Sequence, residues 1–235
     1  MSSYSNQSEV QARILEAARF HLAFDGFSEA VLSAAAADAG VCDEEAKAAF
    51  PRGAIDLAYA FHIAGDHALA LAMEDMPADL RYSQKVAWAV KERLAIAAQD
   101  REAVRRAAGY FALPIHAATA SRALWHTADT IWNGLGDTSD DFNWYSKRAI
   151  LSGVYSASLL YWLGDTSESA ANTDAFVERR IEDVMRFEKA KASARKSPLH
   201  RAFMAGPGRL LDQIRAPGKH APDDLPGRAS SHVKV

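Results

Sequence analysis

The sequence predicts an all-α protein. Apolar side chains recur at intervals of three and four residues along most of the first 196 positions, which is the spacing of amphipathic helices. Signals for β-strands are weak, because few β-branched runs alternate and no Asn-Gly or Asp-Gly turn separates two such runs. A hydrophobic fraction of 49% and a charged fraction of 24% are ordinary for a globular protein.

Three short helices are predicted at the N-terminus. The first ends at Gly26, a residue that suits a left-handed C-cap. The second runs from about Ser28 to Gly40, and the third from Asp43 to Phe50, where Pro51 closes it. The result is a compact three-helix head.

Longer helices are predicted to form the rest of the protein. Pro114 separates two of them, because proline lacks an amide hydrogen and clashes with the preceding turn. From Ala216 onward Pro, Gly, Ser and charged residues dominate, which predicts a disordered tail. The predicted helices cover residues 55–71, 84–99, 101–113, 117–135, 141–163 and 172–196.

Charge is distributed unevenly although the net charge is only −3. Residues 1–80 are strongly acidic, whereas residues 186–235 are strongly basic. The acidic head is a poor match for nucleic acid, while the basic end could meet an anionic surface or simply be a solvated, disordered segment.

The head resembles the DNA-binding head of TetR-type regulators. The resemblance implies a degenerate helix-turn-helix head followed by a larger helical ligand-binding body. It is carried by Ile14-Leu15-Glu16-Ala17-Ala18, Asp25-Gly26-Phe27, Ala39-Gly40-Val41, Phe50-Pro51 and Leu57.

The third helix argues against DNA binding. It begins with Asp43, Glu44 and Glu45, where such regulators usually have basic or small polar residues. Affinity for duplex DNA depends on Lys and Arg that neutralise phosphates, and three carboxylates would repel them. The same carboxylates stabilise the helix through its dipole. Because Lys47 and Arg52 could still touch phosphate, a TetR-type ligand-responsive transcription regulator remains the alternative.

The most specific motif is Asp141-Phe142-Asn143-Trp144-Tyr145 followed by Ser146-Lys147-Arg148. This block resembles the hallmark of the Coq-nine family of coenzyme Q biosynthesis accessory proteins, and the similarity extends from about Arg13 to Met185. The family implies homodimers that bind an isoprenoid quinone or other lipid between helices. It also implies presentation of this precursor to the demethoxyubiquinone hydroxylase at the membrane, with no catalysis, no cofactor and no nucleic acid.

A partner surface is expected around this block, because exposed aromatic residues beside a basic residue are typical of interface centres. The alternative is that Phe142 and Trp144 belong to the core and that Arg148 pairs internally with Asp137 or Asp141. The partner-binding candidates are Trp132, Asp137, Asp141, Asn143, Trp144, Tyr145 and Arg148.

Lipid-binding residues cannot be told from core residues by type, so we name them as a set. The set comprises Val86, Val90, Leu94, Phe111, Leu113, Leu124, Trp125, Leu151, Val154 and Leu159. A segment with basic residues beside an apolar stripe at 197–215 is expected to contact an anionic membrane surface through Leu199, Phe203, Leu210, Leu211 and Ile214. The alternative is a helix packed on the body. The expected division is a head at 1–65, a lipid-binding and dimerisation body at 66–196, the membrane-contact segment and a tail at 216–235.

Enzymatic sites are not indicated. Paired Glu-x-x-His motifs of a di-iron site do not occur, and Gly206-Pro207-Gly208 follows no strand. His62 and His67 are five residues apart and would face different sides of a helix, so we expect no metal site. Cys42 lies beside carboxylates that disfavour a thiolate.

A cytoplasmic location is expected. The first residues contain no apolar stretch after a basic start, so no secretory signal is indicated, and the single cysteine fits a reducing compartment. We therefore expect a bacterial protein that is peripheral on the inner (cytoplasmic) membrane.

Overall fold

The computed structural model describes residues 2–140 and 142–195, and within these ranges the chain forms nine α-helices and no β-strand. The all-α prediction is thereby confirmed. Asp141, the segment 197–215 and the tail 216–235 lie outside the described residues. The helices are α1 (Ser2–Asp25), α2 (Glu29–Asp38), α3 (Asp43–Ala49), α4 (Ala54–Ala72), α5 (Tyr82–Ala98), α6 (Arg101–Phe111), α7 (Ala117–Gly134), α8 (Phe142–Gly164) and α9 (Ala171–Arg195).

Helix ends follow local chemistry. Gly26 adopts φ = 70° after α1, a left-handed conformation that glycine adopts without strain. The Ser28 hydroxyl accepts a hydrogen bond from the backbone N–H of Val31 at 3.2 Å and caps α2. Helix α5 begins two residues before the predicted Gln84, because the Gln84 side chain accepts from the backbone N–H of Arg81 and closes the first turn.

Two apolar cores hold the helices together. The head core includes Ile14, Ala18, Leu22, Val31, Phe50, Leu57 and Phe61. The body core includes Leu69, Val90, Leu94, Ile131, Leu151, Tyr155, Val177 and Ile181. Because α4 supplies residues to both cores, a boundary after residue 65 stays a prediction.

Between these cores, α4 is tied to α5 and α7 by a buried cluster that we call the Asp66 network (His62, Asp66, Arg93, His126 and Thr127). The fully buried Asp66 carboxylate accepts from Arg93 Nε at 2.8 Å and from the Thr127 hydroxyl at 2.9 Å, and its Oδ2 lies 2.8 Å from His126 Nδ1. Arg93 also donates to the His62 carbonyl at 2.9 Å. Every strong polar group here has a partner, as burial requires.

Removing the Asp66 carboxylate should destabilise the protein strongly. Asp66→Ala leaves the Arg93 guanidinium buried without its counter-charge, so we expect a loss of about 3–5 kcal/mol in the free energy of unfolding. Urea denaturation followed by circular dichroism measures it. Asp183→Ala is the control, since Asp183 makes exposed pairs with Arg180 and Arg186 that should contribute at most about 1 kcal/mol. Equal losses in the two variants would contradict the role of the network.

Candidate functional site

Half-buried aromatic rings cluster where α8 begins beside α7, and we call Trp125, Trp144 and Tyr145 the aromatic cluster. The ring centroids of Trp144 and Tyr145 are 4.8 Å apart in an edge-to-face arrangement. Trp125 on α7 lies 5.8 Å from Trp144 and 6.2 Å from Tyr145. Such tilted packing holds the rings in place while part of each remains on the surface.

Arg148 supports the cluster from beneath. Its guanidinium carbon lies 3.9 Å from the centroid of the Trp144 ring, and its side chain is 1% exposed. The charge is balanced by Asp129, at 2.6 Å from Nε, and by Asp137, at 3.3 Å from Nη1. Arg148 also donates to the Trp144 carbonyl at 3.2 Å. The first turns of α8 are therefore fixed by a buried cation.

The Asp137 carboxylate joins Arg148 to Lys147. Lys147 Nζ lies 2.7 Å from Asp137 Oδ1 and 2.7 Å from Ser139 Oγ, and the Ser139 hydroxyl donates to the same carboxylate at 2.8 Å. Burial by itself would raise the pKa of Asp137, but the hydrogen bonds from Lys147 and Ser139 outweigh it and the pKa is lowered. Asp137 is therefore a charged structural acceptor beneath the aromatic cluster.

The partner-binding candidates thus divide into two groups. Trp144 and Tyr145 are half-buried, whereas Arg148 and Trp132 are buried below the surface. The structure contains the internal ion pair between Arg148 and Asp137 that the sequence offered as an alternative. The partner-binding role of the set stays a prediction, and the buried members can serve it only by positioning others.

A cavity of about 190 Å³ lies on the other side of the start of α8, and we call it the α8 cavity. Its walls are mainly apolar, and Asn143, Ser146 and Lys147 form the rim contributed by the family-like block. The lining residues are Tyr82, Val86, Trp132, Asn143, Ser146, Lys147, Ile150, Leu151, Val154, Ile181, Val184 and Met185.

A second cavity, of about 230 Å³, lies between α4, α6, α7 and α8, and we call it the His62 cavity. Its wall is apolar except for His62, Tyr155 and Ser156. The lining residues are Phe61, His62, Val104, Ala107, Ala108, Phe111, Ala112, Ala120, Ala123, Leu124, Tyr155, Ser156, Leu159 and Leu160.

The predicted lipid-binding set is distributed over these cavities and the core. Val86, Leu151 and Val154 line the α8 cavity, and Phe111, Leu124 and Leu159 line the His62 cavity. Val90 and Leu94 are buried in the body core and line neither cavity, Leu113 is exposed, and Trp125 belongs to the aromatic cluster. The lipid-binding role of the set stays a prediction.

The pKa values of the two histidines in the Asp66 network are shifted in opposite directions. Burial lowers the pKa of His62 to about 4, although Asp66 acts in the opposite direction. The hydrogen bond to Asp66 raises the pKa of His126, which is more exposed. His62 is therefore neutral near pH 7, whereas His126 gains a proton more readily than a free histidine.

Other candidate groups have simple surroundings. His67 is exposed, with its ring 6.4 Å from that of His126, and Cys42 is exposed with Sγ 3.5 Å from a Glu45 carboxylate oxygen. Among the described residues, no cluster of three or more His, Cys, Asp or Glu side chains could hold a metal ion. None of the helices in the same residues combines the length and the apolar character that crossing a bilayer requires.

Sequence reasoning missed the residues that organise the site from below. Asp129 and Asn133 on α7 bind Arg148, and the five-residue Asp66 network was not anticipated. The sequence did contain a signal for the Asp66 network. Asp66 interrupts a long apolar stretch of α4, and a charged residue at such a position requires a partner.

Comparison with solved structures assigns the fold to the class of TetR-like helical proteins. A TetR transcriptional regulator from Nitrosomonas europaea superposes with a TM-score of 0.53 over 73% of this chain and 95% of its own, at 22% sequence identity. That identity supports a common fold and nothing finer.

Sequence comparison identifies the family. The COQ9 family model matches residues 117–188, which include the aromatic cluster and the residues that pair with Arg148 beneath it. The ubiquinone biosynthesis protein coq9, mitochondrial, of Schizosaccharomyces pombe is 31% identical over 181 residues, covering 76% of this chain and 71% of the relative. The chain belongs to the COQ9 family, and the predicted family is confirmed.

Other relatives match over shorter regions. The probable ubiquinone biosynthesis protein coq9, mitochondrial, of Dictyostelium discoideum is 34% identical over 112 residues, which cover 48% of this chain and 36% of the relative. The ubiquinone biosynthesis protein COQ9, mitochondrial, of Bos taurus is 38% identical over 80 residues, covering 34% of this chain and 25% of its own. The match therefore spans only about a quarter to a third of these two relatives.

The expected location is wrong. A cytoplasmic protein, peripheral on the inner membrane of a bacterium, was expected because the sequence shows no targeting signal. The relatives from Schizosaccharomyces pombe, Dictyostelium discoideum, Bos taurus and Homo sapiens are all named as mitochondrial proteins. A missing compositional signal was too weak a basis for assigning a compartment.

The two histidines should give opposite pH dependences of stability. The folded pKa of His62 lies below the unfolded value of about 6.5, so wild type should lose up to about 3 kcal/mol as pH falls from 6.5 to 4 because of this group. His62→Gln should remove that loss. His126, with a raised pKa, contributes stability that is complete below pH 6.5 and lost at higher pH, so His126→Gln should cost stability only at low pH. Urea titrations at several pH values test this, and identical slopes in both variants would contradict it.

Proposed function

We propose that the protein is a non-catalytic accessory protein of ubiquinone biosynthesis, which binds an isoprenoid quinone precursor and presents it to the demethoxyubiquinone hydroxylase. Family membership and the printed names of the relatives support the pathway. One observation carries the finer proposal. The first turns of α8 provide part of the wall of an apolar cavity and, on another face, two rings of the aromatic cluster. A ligand in that cavity would lie next to a surface suited to a partner protein.

The α8 cavity has the chemistry of a site for a neutral, mostly apolar ligand. Its walls are apolar, and the Lys147 charge at its rim is already balanced by Asp137. A buried anionic headgroup would therefore find no free counter-charge there. At about 190 Å³ the cavity is smaller than the usual 300–1,000 Å³ of ligand sites. It would accept one end of a long isoprenoid molecule and leave the rest outside.

Filling the α8 cavity should abolish lipid binding. Ile150→Trp places a large side chain into the cavity, so the isoprenoid recovered with the purified protein should fall to about a tenth or less. Solvent extraction and mass spectrometry measure it. Ala149→Trp is the matched control, because Ala149 is the exposed neighbour on the same helix and does not line the cavity. Unchanged lipid in folded Ile150→Trp protein would exclude this cavity as the site.

The aromatic cluster is the proposed docking surface for the hydroxylase. Partly exposed Trp and Tyr side chains bury a large area at a low entropic cost and are enriched among residues that dominate binding. Trp144 is also held by Arg148 and Trp125, so its orientation needs little adjustment on binding. In this proposal Asp137 and Arg148 position the docking residues and do not touch the partner.

Truncating Trp144 should weaken docking without unfolding the protein. Trp144→Ala should lower affinity for the hydroxylase by about 2 kcal/mol or more, a factor of roughly thirty, as hot-spot residues do. Surface plasmon resonance measures this affinity. Tyr161→Ala is the control, since Tyr161 is a partly exposed aromatic residue near the other end of α8. If both variants bind equally well, the aromatic cluster is not the docking surface.

The alternative, a ligand-responsive transcription regulator, is favoured by the TetR-like fold alone. The exposed face of α3 carries Asp43, Glu44 and Glu45 at its N-terminus. Arg52, one of two cations that could have touched phosphate, is engaged by Asp56 at 2.5–2.8 Å. Because duplex binding depends on uncompensated Lys and Arg, this head is poorly suited to DNA.

Two further parts of the proposal concern assembly. We include a homodimer, as implied by the family resemblance, and contact with an anionic membrane surface, as expected from the basic residues beside an apolar stripe in the sequence. The segment expected to touch the membrane lies at 197–215, beyond the residues described.

A further inference from the structure

His126, the most exposed member of the Asp66 network, has the position of its ring proton fixed by Asp66. Asp66 forms a buried ion pair with Arg93, so its carboxylate is charged and can only accept hydrogen bonds. Its Oδ2 lies 2.8 Å from His126 Nδ1, so Nδ1 must carry a proton. A neutral imidazole has one N–H, and in neutral His126 the lone pair is therefore on Nε2.

The unprotonated nitrogen of His126 is directed away from the core. The hydrogen-bonding directions of the two imidazole nitrogens diverge, so Nε2 points away from the fully buried Asp66. The His126 side chain is 36% exposed, and within residues 2–140 and 142–195 its Nε2 has no hydrogen-bond partner. A carboxylate in this position orients metal-binding histidines, because it fixes the tautomer and makes the other nitrogen more basic.

A second histidine ring lies beside that of His126. His67 directly follows Asp66 on α4 and is exposed, and its ring centroid is 6.4 Å from that of His126, with the ring planes at 70°. Two imidazoles on one tetrahedral ion have centroids about 5 Å apart, since each metal–nitrogen distance is about 2.0–2.1 Å. Rotation of the exposed His67 side chain, with a ring shift of about 1 Å, brings the pair into this range.

The surroundings of the two rings decide which kind of ion they could hold. Asp129 follows His126 by one turn of α7, but its carboxylate oxygens already accept from Arg148 Nε at 2.6 Å and from Asn133 Nδ2 at 2.9 Å. The protein therefore supplies two nitrogen ligands and water completes the coordination, in keeping with the described residues containing no three-residue metal cluster. Imidazole nitrogen suits Zn²⁺, Ni²⁺ and Cu²⁺, whereas Ca²⁺ and Mg²⁺ prefer oxygen ligands.

We propose that His67 and His126 together bind a divalent transition-metal ion such as Zn²⁺, and that Asp66 orients His126 by holding its other nitrogen. The ion links α4 to α7 on the surface side of the Asp66 network. The site does not depend on the proposed function, because neither histidine lines the α8 cavity or belongs to the aromatic cluster.

Calorimetric titration of the full chain, without an affinity tag, with ZnCl₂ tests the site. Wild type should bind one ion that both histidines share. His67→Ala should lower the affinity by about tenfold or more, at least the loss that follows removal of an orienting partner. If the two histidines bound separate ions, wild type would bind two and His67→Ala one. That result, or an unchanged affinity of His67→Ala, would overturn the proposal.

His21→Ala is the matched control. Like His126, His21 lies 2.8 Å from a carboxylate oxygen, that of Asp38, but in the described part of the chain no second histidine ring packs against it. His21→Ala should therefore bind Zn²⁺ as wild type does. His126→Ala should lose the site, and if that variant does not fold, His67→Ala decides, because His67 is exposed.

NMR spectroscopy provides a second measurement on the same protein. One equivalent of Zn²⁺ should shift the ring nitrogen resonances of His67 and His126 together and leave those of His21 unchanged. A shift at only one of the two proposed ligands would contradict a shared ion. Because the ion links two helices of the folded protein, Zn²⁺ should also raise the melting temperature of wild type and not that of His67→Ala.

Discussion

The buried ion pair between Asp66 and Arg93 is the interaction on which the arrangement of the helices depends. Helix α4 passes from the head core to the body core. The Asp66 carboxylate lies between Phe61, which belongs to the head core, and Leu69, which belongs to the body core. From that position Asp66 binds α5 through Arg93 and α7 through His126 and Thr127. A buried charge accepts few alternative partners, so the pair specifies how these three helices meet. Both cavities lie against helices that this pair holds in register.

The other buried charge cluster acts more locally and organises one surface. Arg148 neutralises Asp129 and Asp137 and lies under the Trp144 ring, while Lys147 turns from the same helix to the rim of the α8 cavity. Consecutive residues of α8 therefore contribute to a network on one side and a cavity on the other. Only one or two side chains therefore separate the charge network from the cavity. This short distance is what makes a coupled binding and docking role physically reasonable.

Most of the fold could be predicted because helix ends depend on residues close together in the sequence. The site was harder to predict because it depends on contacts between residues far apart in the sequence. Helix ends followed from Gly26, Ser28 and Pro114, whose effects act within a few residues. The family followed from the block at 141–148, whose residue types are distinctive. Burial of Arg148 depended on Asp129, which lies 19 residues earlier and gives no periodic signal. Likewise, Leu94 lies in the body core whereas Leu124 lines a cavity. The two residues are of the same type, so the sequence could not distinguish them, and only tertiary packing does.

Helix α4 also runs without interruption between the two halves of the molecule, as a lever would. Its 19 residues span about 28 Å, and its middle is anchored while Phe61 and His62 form part of a cavity wall. A tilt of about 5° about the Asp66 anchor would displace the head end of the helix, about 18 Å away, by about 1.6 Å. In a regulator such a displacement would move a DNA-reading helix. Here the helix at the end of the lever presents carboxylates, so the same motion would reposition a negatively charged face toward whatever meets the head.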